Sequence, residues 1–258
     1  MPDLRRLRVG VAAAAAVIAA AALADAPHAP HANAAPADIA GMIVFLDPGE
    51  SGKNDASTTR QVPDGRGGTK DCQATGATAA ATNDGYPEHS FTWEVALRVR
   101  SLLNQLGVRT AMSRGNDDGL GPCVDERAAT ANALHPDAIV SIHADGGPPS
   151  GRGFHVNYSA PPLNQAQAGP AVQFAQIMRD QLRASGVPPA NYIGQDGLDG
   201  RADLAGLNLA QYPAILVELG NMKNPADDAL ITTPDGRQKY AAAVVNGIAG
   251  FLATSKAV

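Results

Sequence analysis

Only two cysteines occur in 258 residues, and two thiols cannot build a four-thiolate zinc site. Positive charge is also scarce: 20 Lys and Arg stand against 25 Asp and Glu, a formal net charge of −5. No basic cluster interrupts the body of the chain, which argues against nucleic acid as a partner. No apolar run reaches the roughly 20 residues of a membrane-spanning helix. The longest, Val9 to about Leu23, follows Arg5, Arg6 and Arg8 and has the size of a signal-peptide core. No internal repeat is visible, so nothing indicates an appended repeat array.

The composition that remains, 45% hydrophobic and 17% charged, is that of a folded globular protein. Small-x-small patterns occur at Ala24-Asp25-Ala26 and Ala32-Asn33-Ala34. Pro27 disfavours the first, so cleavage is expected after Ala34. The expected organisation is a signal peptide over 1–34, a flexible lead-in over 35–41 and one domain over 42–254. The released domain is expected to be a monomer with no membrane attachment, and His28 and His31 to be solvated. In an oxidising compartment Cys72 and Cys123 read as one disulfide. Closing a loop of about 50 residues contributes on the order of 4 kcal/mol in the chain-entropy model.

Met42 to Leu46 is a continuous apolar run stopped by Asp47-Pro48-Gly49, as in a buried strand ending in a turn. Residues 51–86 are polar with no core-forming period, the character of a functional loop. Phe91, Val95, Val99, Leu102 and Leu106 then recur at helical spacing up to Gly107. Strands are expected over 108–112, 138–143, 153–158 and 214–219, and further helices over 124–134, 168–184 and 237–252. Strands alternating with helices imply a single α/β domain, a twisted mixed sheet with helices on both faces.

Three strand ends bear polar groups that a core would not select. Leu46 leads into Asp47-Pro48-Gly49-Glu50, Ile142 into His143-Ala144-Asp145, and Val217 into Glu218-Leu219-Gly220. Ligand crevices of open α/β sheets lie beyond such ends. Glu88 opens the first long helix. Two carboxylates and an imidazole suit a mononuclear metal site with an open position, and a further carboxylate suits proton transfer beside it. Each also has a bland reading: a solvated loop residue for Glu50, helix-dipole pairing for Glu88, a hydrogen-bonded strand end for His143. Glu218 follows three apolar residues, where an unpaired structural carboxylate would be costly. His89, His135 and His155 read as structural or solvated.

At these residues the chain resembles the zinc-dependent N-acetylmuramoyl-L-alanine amidases of the amidase-3 family, from about Met42 to Leu252. The specific blocks are Asp125-Glu126-Arg127, Ala131-Asn132, Pro136 through Ser141-Ile142-His143-Ala144-Asp145, Gly151-Arg152-Gly153-Phe154, and Leu216-Val217-Glu218-Leu219-Gly220 with Asn224-Pro225. The resemblance implies Zn2+ as cofactor, with Glu88 and His143 as ligands and Glu218 as the catalytic carboxylate. It implies peptidoglycan or a muropeptide as substrate, cut between N-acetylmuramic acid and L-alanine, and a location in the periplasm or cell wall. The family's first block reads Asp-Pro-Gly-His, whereas this chain has Glu50 in the ligand position; weakened zinc binding and activity are expected. Asn221 stands where the family usually has an aromatic residue.

The competing expectation is an inactive relative that still binds muropeptides, which Glu50 favours. A zinc carboxypeptidase is disfavoured by the lack of a His-x-x-Glu pair, and a purely structural envelope protein leaves Glu218 unexplained.

Overall fold

The computed structural model describes residues 39–73 and 84–255; the expected signal peptide lies outside them. The packed domain begins within the expected lead-in, since Ile39 is buried in the core. Strands β1 (Ile43–Pro48), β4 (Arg109–Met112), β5 (Ala138–Asp145), β6 (His155–Ser159), β7 (Leu198–Arg201) and β8 (Ala214–Asn221) form one sheet. Their order is β4-β1-β5-β8-β6-β7. All neighbours run parallel except β6 and β8, so the sheet is mixed.

Side chains alternate along each strand, and the two faces differ in character. Val44 and Leu46, Val140 and Ile142, and Val217 and Leu219 enter the main core. Helices α1 (Glu88–Gln105), α4 (Pro170–Ala184) and α7 (Pro234–Ser255) supply its other wall. Phe174 stacks on Phe251 with ring centroids 4.4 Å apart, and Phe91 meets Tyr240 edge-on. Burying one such ring contributes about 2–3 kcal/mol. On the opposite face Phe45, Ile139 and Ala214 meet Ala131 of α2 (Val124–Ala133) and Leu207 of α5 (Ala205–Leu209). Short helices α3 (Gln165–Ala168) and α6 (Pro225–Ile231) complete the α-helices among the described residues.

α1 and α2 begin and end at signals in their sequence, whereas α7 extends three residues beyond its expected 237–252 range at each end. Glu88 sits in the first turn of α1, where its charge suits the helix dipole. Gly107, in the left-handed region at φ 77°, ends the helix. Glu126 reaches back to accept from the Cys123 amide at 3.1 Å and caps α2.

Residues 51–86, expected as an unstructured functional loop, are partly built. A 3-10 turn (Ala56–Thr59) precedes an antiparallel ribbon of β2 (Gln61–Pro63) and β3 (Thr69–Asp71). Each ribbon strand has three residues, too few to show alternation. Tertiary ties hold it instead. Cys72 is bonded to Cys123, as expected, and Arg66 donates to Asn208, Ser159 and the Pro161 carbonyl.

Candidate active site

The strand ends converge. Glu50 follows β1, His143 lies in β5 and Glu88 opens α1; one donor atom from each falls within 4.8 Å of the others. His143 Nδ1 lies 3.0 Å from Glu88 Oε1 and 4.0 Å from Glu50 Oε1. Glu88 Oε1 also accepts from the Ala144 amide at 3.1 Å. Glu218 is the register partner of His143 in the parallel β5–β8 pair, so both side chains project from the same face. Its Oε2 is buried and meets no hydrogen-bond partner among the described residues.

The turn after β1 wraps tightly over His143. The Gly49 amide donates to the Ile142 carbonyl at 2.9 Å. Thr92, one turn into α1, donates to the Gly49 carbonyl at 2.6 Å. Arg114 holds the Pro48 carbonyl at 3.2 Å and the His89 carbonyl at 2.7 Å. Only glycine fits at 49, because a Cβ there would stand 2.2 Å from the His143 ring. Glu50 then adopts φ 62°, a left-handed conformation that costs a side-chain-bearing residue about 1 kcal/mol.

Burial pushes the Glu50 carboxyl up to about 7, with the Glu88 carboxylate adding to the rise and the His143 ring opposing it. Burial also raises Glu88, against the hydrogen bond from Ala144 and with Asp145 adding. Glu218 is raised by burial, opposed by His143 and reinforced by Glu88, Asp145 and Glu50. Three carboxyls in one buried space resist ionising together.

A cleft leads away from this cluster between the sheet and helices α2 and α5. The cleft is partly open to solvent. Glu50 and His143 line one end; Phe45, Ala131, Ile139 and Ala214 line the other. Lys70, Asp71, Cys72 and Gln73, at the end of the ribbon, form one side. Arg127 lies within it and donates to Asp47 at 3.2 Å, while Ser141 donates to the same carboxylate at 2.8 Å.

The remaining histidines separate. His89 contacts Asp117 at 2.9 Å and His135 contacts the Tyr212 hydroxyl, both outside the cluster. His155 is the register partner of Glu218 on its other side. Asn221 is buried and donates to the Pro148 and Gly151 carbonyls, both at 2.8 Å, bracing the loop beyond β5. Asp47, Arg127 and Ser141 form a half-buried support that sequence reasoning did not assign; the clue to Asp47 and Ser141 was a polar position repeated on one face of β1 and β5.

The profile of the Amidase_3 family, described as N-acetylmuramoyl-L-alanine amidase, matches residues 43–250. The chain is 75% identical over 223 residues to N-acetylmuramoyl-L-alanine amidase Rv3717 of Mycobacterium tuberculosis, covering 86% of this chain and 91% of that protein. The crystal structure of the amidase Ami1 from Mycobacterium smegmatis superposes with a TM-score of 0.82 at 73% identity, over 84% of this chain and 99% of that one. AmiC2 of Nostoc punctiforme, at 22% identity and a TM-score of 0.61, shares the fold over 82% of this chain and 97% of its own. With its sheet, its clustered strand ends and this degree of identity, the chain belongs to the Amidase_3 family of N-acetylmuramoyl-L-alanine amidases.

Proposed function

We propose that this chain hydrolyses the amide between N-acetylmuramic acid and the L-alanine of the peptidoglycan stem peptide, with zinc held by Glu50, Glu88 and His143. The observation that carries the reading is the convergence of those three donors beside Glu218, whose buried oxygen has no partner. The donor set fits the ion. Two ligands of a tetrahedral zinc stand about 3.3 Å apart at ordinary bond lengths, and His143 lies 3.0 Å and 4.0 Å from the two carboxylates. Crowded carboxyls that burial keeps protonated would ionise around a cation.

Zinc, when bound, supplies Lewis acidity that polarises a carbonyl and makes water easier to deprotonate. The chain's own groups do the rest. Glu218 accepts the proton of the attacking water and returns it to the nitrogen of L-alanine as the amide bond breaks. The cleft beside the cluster receives the substrate. Glu50 brings a carboxylate where the family has an imidazole, which adds negative charge and weakens both Lewis acidity and turnover. The Glu50 carboxylate in that ligand position favours a second reading, a disabled amidase that still binds muropeptides. In either reading the protein is exported by residues 1–34 and works as a monomer in the periplasm or cell wall.

The test supplies zinc and a synthetic muramoyl-dipeptide to the purified domain and measures free dipeptide by mass spectrometry. Glu50→His and Glu218→Ala run beside it. Release by the parent above the Glu218→Ala blank supports the amidase reading. Release by Glu50→His alone supports the disabled form. Release by neither refutes the substrate.

A further inference from the structure

On the side of Glu218 away from His143 lies a second imidazole with no assigned role. His155, in β6, pairs in antiparallel register with Glu218. Such partners project from the same face with Cβ atoms about 4.5–5.5 Å apart. His155 is 2% exposed. Among the described residues neither its Nδ1 nor Oε2 of Glu218, both buried, has a hydrogen-bond partner. Two unsatisfied buried polar atoms thus stand on adjoining residues of one sheet face, and buried polar groups in folded proteins are normally satisfied.

We infer that His155 is a positioning residue for Glu218: its Nδ1–H donates to one bridging water that donates in turn to Oε2, and so fixes the carboxylate for proton transfer. This rests on the amidase reading above. Burial holds the imidazole below its ordinary pKa, so the ring is neutral and has one N–H to give. With the proton on Nδ1, one bridging water satisfies both atoms. Glu218 Oε1 is left for the reacting atoms.

The neighbours fix the ring. Tyr192 meets it edge-on at 6.3 Å between centroids. The Tyr192 hydroxyl donates to Asp145 Oδ2 at 2.8 Å, which anchors that ring in turn. Gly147 and Gly151 press on Tyr192 so closely that a Cβ at either would fall within 2.6 Å of it. At its depth His155 cannot reach substrate, so it acts through Glu218. A carboxylate held by one hydrogen bond keeps its proton-accepting oxygen in place, and a displacement of about 1 Å costs on the order of 100-fold in rate.

His155→Asn and His155→Leu test the inference, because the two residues have nearly the same shape and only asparagine offers a donor near the Nδ1 position. Parent, both variants and Glu218→Ala are assayed for kcat and KM on muramoyl-dipeptide, with bound zinc and thermal unfolding measured on each. The expected result is a kcat about 10–100-fold lower in the leucine variant, with KM and zinc content unchanged, and recovery to within about threefold of the parent in the asparagine variant. Equal kcat in the two variants, or a leucine variant within threefold of the parent, overturns the role. If the leucine variant does not fold, His155→Ala takes its place in the same comparison. A parent no faster than Glu218→Ala would instead refute the amidase reading.

Discussion

Replacing Gly49 by alanine adds one methyl group where His143 already lies. The new Cβ would stand 2.2 Å from ring Cε1, 2.4 Å from Nε2 and 2.5 Å from Nδ1. Ordinary carbon contacts begin at about 3.5 Å, so ring and methyl must separate by about 1.3 Å. The backbone at 49 is no obstacle, since this glycine lies outside the left-handed region. The turn resists lifting, because the Ile142 carbonyl, Thr92 and Arg114 all hold it. The ring therefore gives way and loses its 3.0 Å approach to Glu88. Overpacking of this kind costs about 1–3 kcal/mol of stability. Disturbing the orientation of a metal ligand costs about 10–100-fold in affinity. Competition for zinc with a chromogenic chelator, with thermal unfolding in parallel, measures both. A variant that binds zinc within threefold of the parent would refute the reasoning, since the ring would then have room the packing denies it.

Reducing the Cys72–Cys123 bond, which spans 51 residues, should remove about 4 kcal/mol. For a domain of this size that lowers Tm by about 8–16 °C, read by calorimetry with and without reductant; an unchanged Tm with both thiols titratable would count against it. Phe174→Ala, which empties the stack against Phe251, should cost about 3–5 kcal/mol in a urea titration. Burial pushes the Asp47 carboxyl up, but the Arg127 guanidinium and the Ser141 hydroxyl outweigh it and hold the group below its ordinary value. Its contribution is therefore present above about pH 4, the unfolded value, and is lost as pH falls through the folded one. Asp47→Asn should cost about 3 kcal/mol at neutral pH by stranding Arg127, and the difference from the parent should shrink in acid; a constant difference down to about pH 2 would argue against the pairing.

Long periodic segments were legible because many residues vote together. α1, with Phe91, Val95 and Val99 on its inner face, and β5, with its apolar Ala138-Ile139-Val140 start, were expected within two residues of where they lie. The short pieces were not. β7 has four residues, two of them Asp199 and Gly200, and α5 has five, so neither shows a period. The convergence of Glu50, Glu88 and His143 was inferred from strand ends and family resemblance; spacing alone does not bring residues 50, 88 and 143 together. His155 was read as structural or solvated because its neighbour depends on β6 running antiparallel to β8, a pairing that local pattern does not encode. The ribbon was hidden for a different reason. Its support is a disulfide and one arginine, both long-range.

The two-faced sheet has a consequence for how this gene can change length. In β5, Ala138, Val140, Ile142 and Ala144 belong to the core while Ser141, His143 and Asp145 face the site. Deleting or inserting one residue in that strand would turn every later side chain to the other face, sending His143 into the core and Ile142 toward the cleft. Such a change could not spare stability at the expense of activity, or the reverse. Point substitutions can act on one face at a time, whereas a change of length in β5 ahead of His143 acts on both.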